Sequence, residues 1–139
     1  MNDAAHFTPF HWLDALLAGK SKRAWHILQQ MQQEDVEPVI LLRTLQRELL
    51  QLLNLQRRMA TVPLRTLFDQ YKVWQNRRNL VTQALQRLSG TQLRQAVHLL
   101  AQIEITLKQD YGQSVWSELE TLSMLLCGKP LATSFSDVH

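Results

Sequence analysis

The run Tyr71-Lys72-Val73-Trp74-Gln75-Asn76-Arg77-Arg78 sets two aromatic rings among three cations. Proteins hold single-stranded nucleic acid with this combination: bases stack on the rings, and the cationic groups meet the phosphates and make binding depend on salt. The same residues have a plainer use. Bulky aromatic side chains are mostly buried, so Tyr71 and Trp74 would serve as anchors at the start of a helix, with Arg77 and Arg78 turned to water. By pattern alone this packing use is favoured. Tyr111 poses the same choice. It stands beside Gly112 at the end of a long helical pattern, where a chain turns at the surface, and is less securely a core residue than the leucines before it.

Other chemistry finds little support. Gly19-Lys20-Ser21 ends like a phosphate-binding loop, but such a loop needs a strand leading in and a glycine where Asp14 stands, inside a helical pattern. Gly19 as a helix stop and Ser21 as an N-cap explain the tripeptide, and no nucleotide site is expected. His6, His11, His26, His98 and His139 lack the HExxH spacing and any cysteine partner; only closeness of His6 and His11 to Asp14 would suggest zinc. Neither metal nor cofactor is expected. Glu118 and Glu120, two apart on a helix, point to different sides and do not share a proton, and Ser114 has no adjacent histidine. No catalytic set emerges, so the chain is not expected to be an enzyme by itself.

The elements that must position these residues are helices. Thr8 caps a first helix with Pro9 at its opening position and Phe10, Leu13, Leu16 and Leu17 as its apolar stripe, and Gly19 stops it. Ser21 opens a second helix, with Ala24, Ile27, Leu28 and Met31 on one face. Pro38 opens a third that runs to about Arg58 through Ile40, Leu41, Leu45, Leu49, Leu52 and Leu53. Pro63 starts a shorter helix. One more is expected from about Val73 to Leu88, a long one capped by Thr91 and running to about Tyr111, and a last from Ser114 to Gly128 carrying Val115, Leu119, Leu122 and Leu126. All four glycines read as helix ends, and no strand of period two is found. The expectation is one all-α bundle of six to seven helices over residues 1–139, with short connections that favour antiparallel packing.

The chain has 139 residues, is 45% hydrophobic and carries a formal charge of +3, which permits contact with phosphate without requiring it. The excess is local. Between Gln56 and Gln95 lie Arg57, Arg58, Arg65, Lys72, Arg77, Arg78, Arg87 and Arg94, opposed only by Asp69. Cys127 is the single cysteine, which rules out an intrachain disulfide and suits a reducing compartment. No stretch approaches the roughly 20 apolar residues of a membrane span, and the first residues lack the features of a signal peptide; a cytoplasmic protein is expected.

The blocks LAGKSKRAWHIL, EPVILLRTLQREL, WQNRRNLVTQALQRLS, TQLRQAVHLL and TLKQDYGQSVWSELETLSMLLC resemble the C-terminal helical part of the delta subunit of the bacterial DNA polymerase III clamp loader, in its enterobacterial form. The resemblance covers nearly the whole chain. It implies a collar domain, one segment of a five-part ring in which the C-terminal domains of delta, delta prime and three gamma or tau subunits hold the loader together. The family's ATPase-like and lid domains are absent here, so Met1 is expected to be an introduced start. ATP hydrolysis would belong to gamma or tau, and grip on the sliding clamp to delta's missing N-terminal domain.

The resemblance further implies that the collar faces the template strand leaving a primed junction. Trp74 and Tyr111 match the positions that stack on a template base, with Lys72, Arg77 and Arg78 as phosphate contacts nearby. Trp12, Trp25 and Trp116 are left to packing. Leu119, Leu122, Met124 and Leu125 in the last helix are the candidates for subunit contacts, and one helix face is expected to stay exposed on the isolated domain. A different class of function, a stand-alone helical DNA-binding protein using the basic surface of residues 57–94, is weakened by the scatter of those cations over several helices and loops.

Overall fold

The computed structural model describes residues 6–110 and 114–128. Its helices are α1 (Pro9–Leu17), α2 (Ser21–Gln33), α3 (Pro38–Arg58), α4 (Leu64–Gln70), α5 (Arg78–Arg87), α6 (Gly90–Asp110) and α7 (Val115–Leu126), and no strand occurs among the described residues. The all-α expectation holds. The long helices α3 and α6, 21 residues each and thus about 30 Å, form the central pair. On this pair α7 packs against α6 and α2, while α1 closes the bundle against α2, α3, α5 and α7.

The leucine-rich stripes meet in one core that includes Leu16, Ile27, Leu41, Leu45, Leu49, Leu67, Val81, Leu93, Leu100, Ile103, Leu119 and Leu122. Trp12 is wholly buried, and its indole N–H donates to Ser123 Oγ at 3.2 Å, which passes a hydrogen bond on to the Leu119 carbonyl at 2.8 Å. The indole's polar edge is thereby satisfied inside the core.

Several helix ends follow the signals in the sequence. Thr8 caps α1 as expected: its hydroxyl accepts from the His11 N–H at 3.4 Å, and its own N–H donates to His11 Nδ1 at 2.9 Å. After α1, Gly19 takes φ of +74°, the Gly19 N–H reaches the Leu16 carbonyl and the Lys20 N–H reaches the Ala15 carbonyl. That is a Schellman stop, so the glycine of Gly19-Lys20-Ser21 ends a helix. Ser21, however, is already the first residue of α2, and Lys20 holds the cap position with no side-chain bond.

Two other expectations need correction. The long helix α6 is capped by Ser89, whose hydroxyl accepts from the Gln92 N–H at 3.1 Å while Gln92 Oε1 accepts from the Ser89 N–H at 2.9 Å. Gly90 therefore opens a helix instead of ending one, and Thr91 lies inside it. The helix expected from Val73 starts only at Arg78. Lys72, at φ of +55°, makes a Schellman stop for α4, with the Val73 N–H bonded to the Phe68 carbonyl at 2.9 Å. Val73 is buried, and the chain continues extended through Trp74 into a 3-10 turn at Gln75–Arg77.

Arg87 joins the ends of two helices. Its guanidinium Nη2 donates to the carbonyls of Leu16 and Leu17 at the close of α1, at 2.9 and 3.1 Å, and of Leu126 at the close of α7, at 3.2 Å. A cation where two helix C-termini converge also meets two negative dipole ends. Burial lowers the Arg87 pKa from its ordinary value.

Candidate nucleic-acid interface

The loop between α4 and α5 is held by Arg77 and Arg78, and this fixes what its tip presents. Arg78 Nε donates to the Val73 carbonyl at 2.9 Å, its Nη2 to Asp69 Oδ1 at 3.0 Å, and its guanidinium lies 5.6 Å from the Phe68 ring centre. Arg77 turns the other way, to Glu48 Oε1 on α3 at 3.3 Å and to Asp14 Oδ1 on α1 at 3.5 Å. Between these anchors Trp74 stands 75% exposed. An indole so exposed on a pinned backbone is the opposite of a core anchor, so the packing use favoured by pattern alone is corrected for Trp74, whereas Tyr71 is half-buried against the core.

Lys72 is exposed beside it and forms no ion pair among the described residues. Arg77 and Arg78, expected as phosphate contacts, are both half-buried and paired with carboxylates. Their charge is largely answered within the domain, and their direct effect is to shape the loop. Tyr111 lies outside the described residues.

Glu48 is the electrostatic centre of the floor beneath the loop. It is nearly buried, its Oε2 has no hydrogen-bond partner, and burial pushes its carboxyl above the usual range while Arg77 draws it back. With Arg77 between Glu48 and Asp14, three charges sum to −1 when all are ionised, so this side of the groove is mildly acidic, while Arg47 and Lys72 line the same groove without a carboxylate partner among the described residues.

The interface candidates of α7 divide. Leu119, Leu122 and Leu125 are buried in the domain's own core, because α7 turns that face onto α6 and α2, so they offer no surface to a neighbour. Met124 is 46% exposed. It shares an apolar notch with Trp25, Ser21, Lys22 and His26. Trp25, expected to pack, is 52% exposed, while Ala24, Ile27, Leu28 and Met31 make the buried face of α2. Trp116 is half-buried against the core.

Among the described residues no group of three or more His, Cys, Asp or Glu stands ready to hold a metal. His6 lies 3.5 Å from Glu34 Oε2, and His11 Nδ1 serves the α1 cap. No described helix is long and apolar enough to cross a membrane. The basic run of residues 57–94 does not form one face, since Arg87 points inward and Arg77 and Arg78 are paired. Sequence reasoning also missed Arg47 and Phe10, which line the same groove as Trp74. A signal for Arg47 was present: Thr44, Arg47, Glu48 and Gln51 recur at helical spacing on an otherwise leucine-rich helix.

Fold and surface define an all-α bundle domain that presents an aromatic loop at one place and an apolar notch at another. The chain belongs to the family of C-terminal domains of the DNA polymerase III delta subunit: residues 9–133 match the family described as "Processivity clamp loader gamma complex DNA pol III C-term". It is 72% identical over 137 residues to DNA polymerase III subunit delta of Escherichia coli (strain K12), covering 99% of this chain and 40% of that protein. The subunit of the same name from Haemophilus influenzae is 49% identical over 130 residues, covering 87% of this chain and 38% of the relative. The chain spans about two fifths of the length of the curated relatives it matches.

Proposed function

We propose that this domain acts in the assembled clamp loader as a non-catalytic module that holds delta to neighbouring collar domains of the gamma or tau and delta prime subunits. It also lines the path by which the unpaired template leaves the primed junction, in the cytoplasm during sliding-clamp loading. Membership in the delta family supports the first part. The exposed Trp25 and Met124 notch is the surface best suited to a neighbouring subunit, since apolar groups left in water favour a partner. ATP hydrolysis, and contact with the clamp itself, fall to other parts of the loader.

One observation carries the template reading: Trp74 is 75% exposed at the tip of a loop that Arg77 and Arg78 fix to three helices. A ring carried on a pinned backbone loses less freedom on stacking against a base than one on a free loop, Lys72 supplies a neighbouring cation, and Tyr111 is the second proposed stacking residue. The test is Trp74→Ala in the assembled loader, with binding of primed DNA followed by fluorescence anisotropy. Stacking worth about 1–3 kcal/mol per base predicts affinity about 5- to 150-fold weaker with the salt slope unchanged. The melting temperature should hardly move, because little of this ring is buried. Unchanged affinity would overturn the reading.

A further inference from the structure

We propose that the groove between α1, α3 and the Trp74 loop seats one unpaired nucleotide of the template, its base against Trp74 and Phe10 and its phosphate on Arg47 and Lys72. The inference rests on Trp74 being a template contact and goes beyond it in naming the seat, the second ring and the second cation. The groove is open, encloses about 510 Å³, and is lined by all four residues. That size falls within the roughly 300–1,000 Å³ of ligand clefts.

Phe10 lies in the first turn of α1, whose other large apolar side chains Trp12, Leu13, Leu16 and Leu17 are buried, yet it is 64% exposed. Two large rings left in water along one groove favour a flat apolar ligand there. Arg47 and Lys72 are exposed and have no carboxylate partner among the described residues, unlike Arg77 in the same groove.

The charge pattern sets the ligand's direction. Nearly buried Glu48 and half-exposed Asp14, together outnumbering Arg77, repel a phosphate on their side of the groove, while the two unpaired cations attract one. A neutral base therefore points inward and its phosphate stays with Arg47 and Lys72. A paired base in a duplex has both faces stacked and its edge occupied, so the seat selects unpaired template.

The experiment uses the assembled loader and a primed DNA with 2-aminopurine at successive unpaired template positions. Stacking in the seat should quench 2-aminopurine at one position, and Phe10→Ala should relieve the quenching and weaken binding about 5- to 150-fold. Arg47→Ala should lower the log–log salt slope by about 0.7, and Arg47→Lys should restore it. If Trp74→Ala weakens binding while Phe10→Ala and Arg47→Ala leave affinity, quenching and slope unchanged, the seat is refuted and the Trp74 contact survives. If Trp74→Ala also has no effect, the template reading itself fails. If Phe10→Ala instead prevents loader assembly without DNA, by light scattering, the groove holds a neighbouring protein and the proposal is overturned.

Discussion

Replacing Arg77 with alanine would expose how the Trp74 loop is held, because its effect on stability should depend on pH. Arg77 gives Glu48 Oε1 its donor at 3.3 Å, and Glu48 Oε2 already lacks one. The variant therefore leaves a nearly buried carboxylate with neither charge partner nor hydrogen bond. Breaking a buried pair from one side costs about 3–5 kcal/mol; the groove admits water and the Arg77 side chain is 29% exposed, so about 2–3 kcal/mol is expected near pH 8.

The sign of the pH dependence follows from burial, which raises the Glu48 pKa in the folded state above its unfolded value. Such a group binds its proton more tightly when folded. The penalty for ionising it is absent below the unfolded pKa, grows between the unfolded and the folded pKa, and is fully present above the folded one. Arg77 opposes this shift, so Arg77→Ala should raise the pKa further, destabilise little near pH 4.5, destabilise more as pH rises by at most about 1.4 kcal/mol per unit, and level off once pH passes the raised pKa. Urea unfolding at constant m-value across that range measures it. Adding Glu48→Gln to Arg77→Ala should remove most of the pH dependence. An equal loss at pH 5 and pH 8, or a loss that survives Glu48→Gln, would refute the account.

Further consequences concern the joints of the bundle. Arg87→Met should cost about 3 kcal/mol in urea unfolding, since it strips donors from carbonyls at the ends of both α1 and α7, and a loss under about 1 kcal/mol would show that water replaces them. Ser89→Ala should cost about 1 kcal/mol through the lost cap and Thr91→Ala much less; the reverse order in thermal melts would contradict the capping geometry. Lys72→Gly relieves a left-handed backbone worth about 1–2 kcal/mol, partly offset by the entropy of glycine. Stability should hold or rise while DNA affinity and salt slope fall, and unchanged DNA binding would remove Lys72 from the interface.

Local pattern was enough for the helices and their order, because a period of 3.6 and the capping chemistry of Thr8, Pro9, Gly19 and Pro38 act within a few residues of each other. The long blocks of similarity carried the family. Thr91 was expected as the cap of α6, but Ser89 takes that place, because the Gln92 side chain completes a reciprocal cap with it.

What sequence could not supply was which cations stay free and which rings face out. Arg77 finds its carboxylates 29 and 63 residues away, on α3 and α1, so its neutralisation exists only once three helices meet. Phe10 and Leu13 share a stripe by spacing, yet α1 is covered over Leu13 and left open over Phe10. Leu119, Leu122 and Leu125 look as fit for a neighbour as for the core, because an interface stripe and a core stripe have the same composition. Periodicity tells a helix which side is apolar; only the packing of the other helices determines which part of that side remains in water.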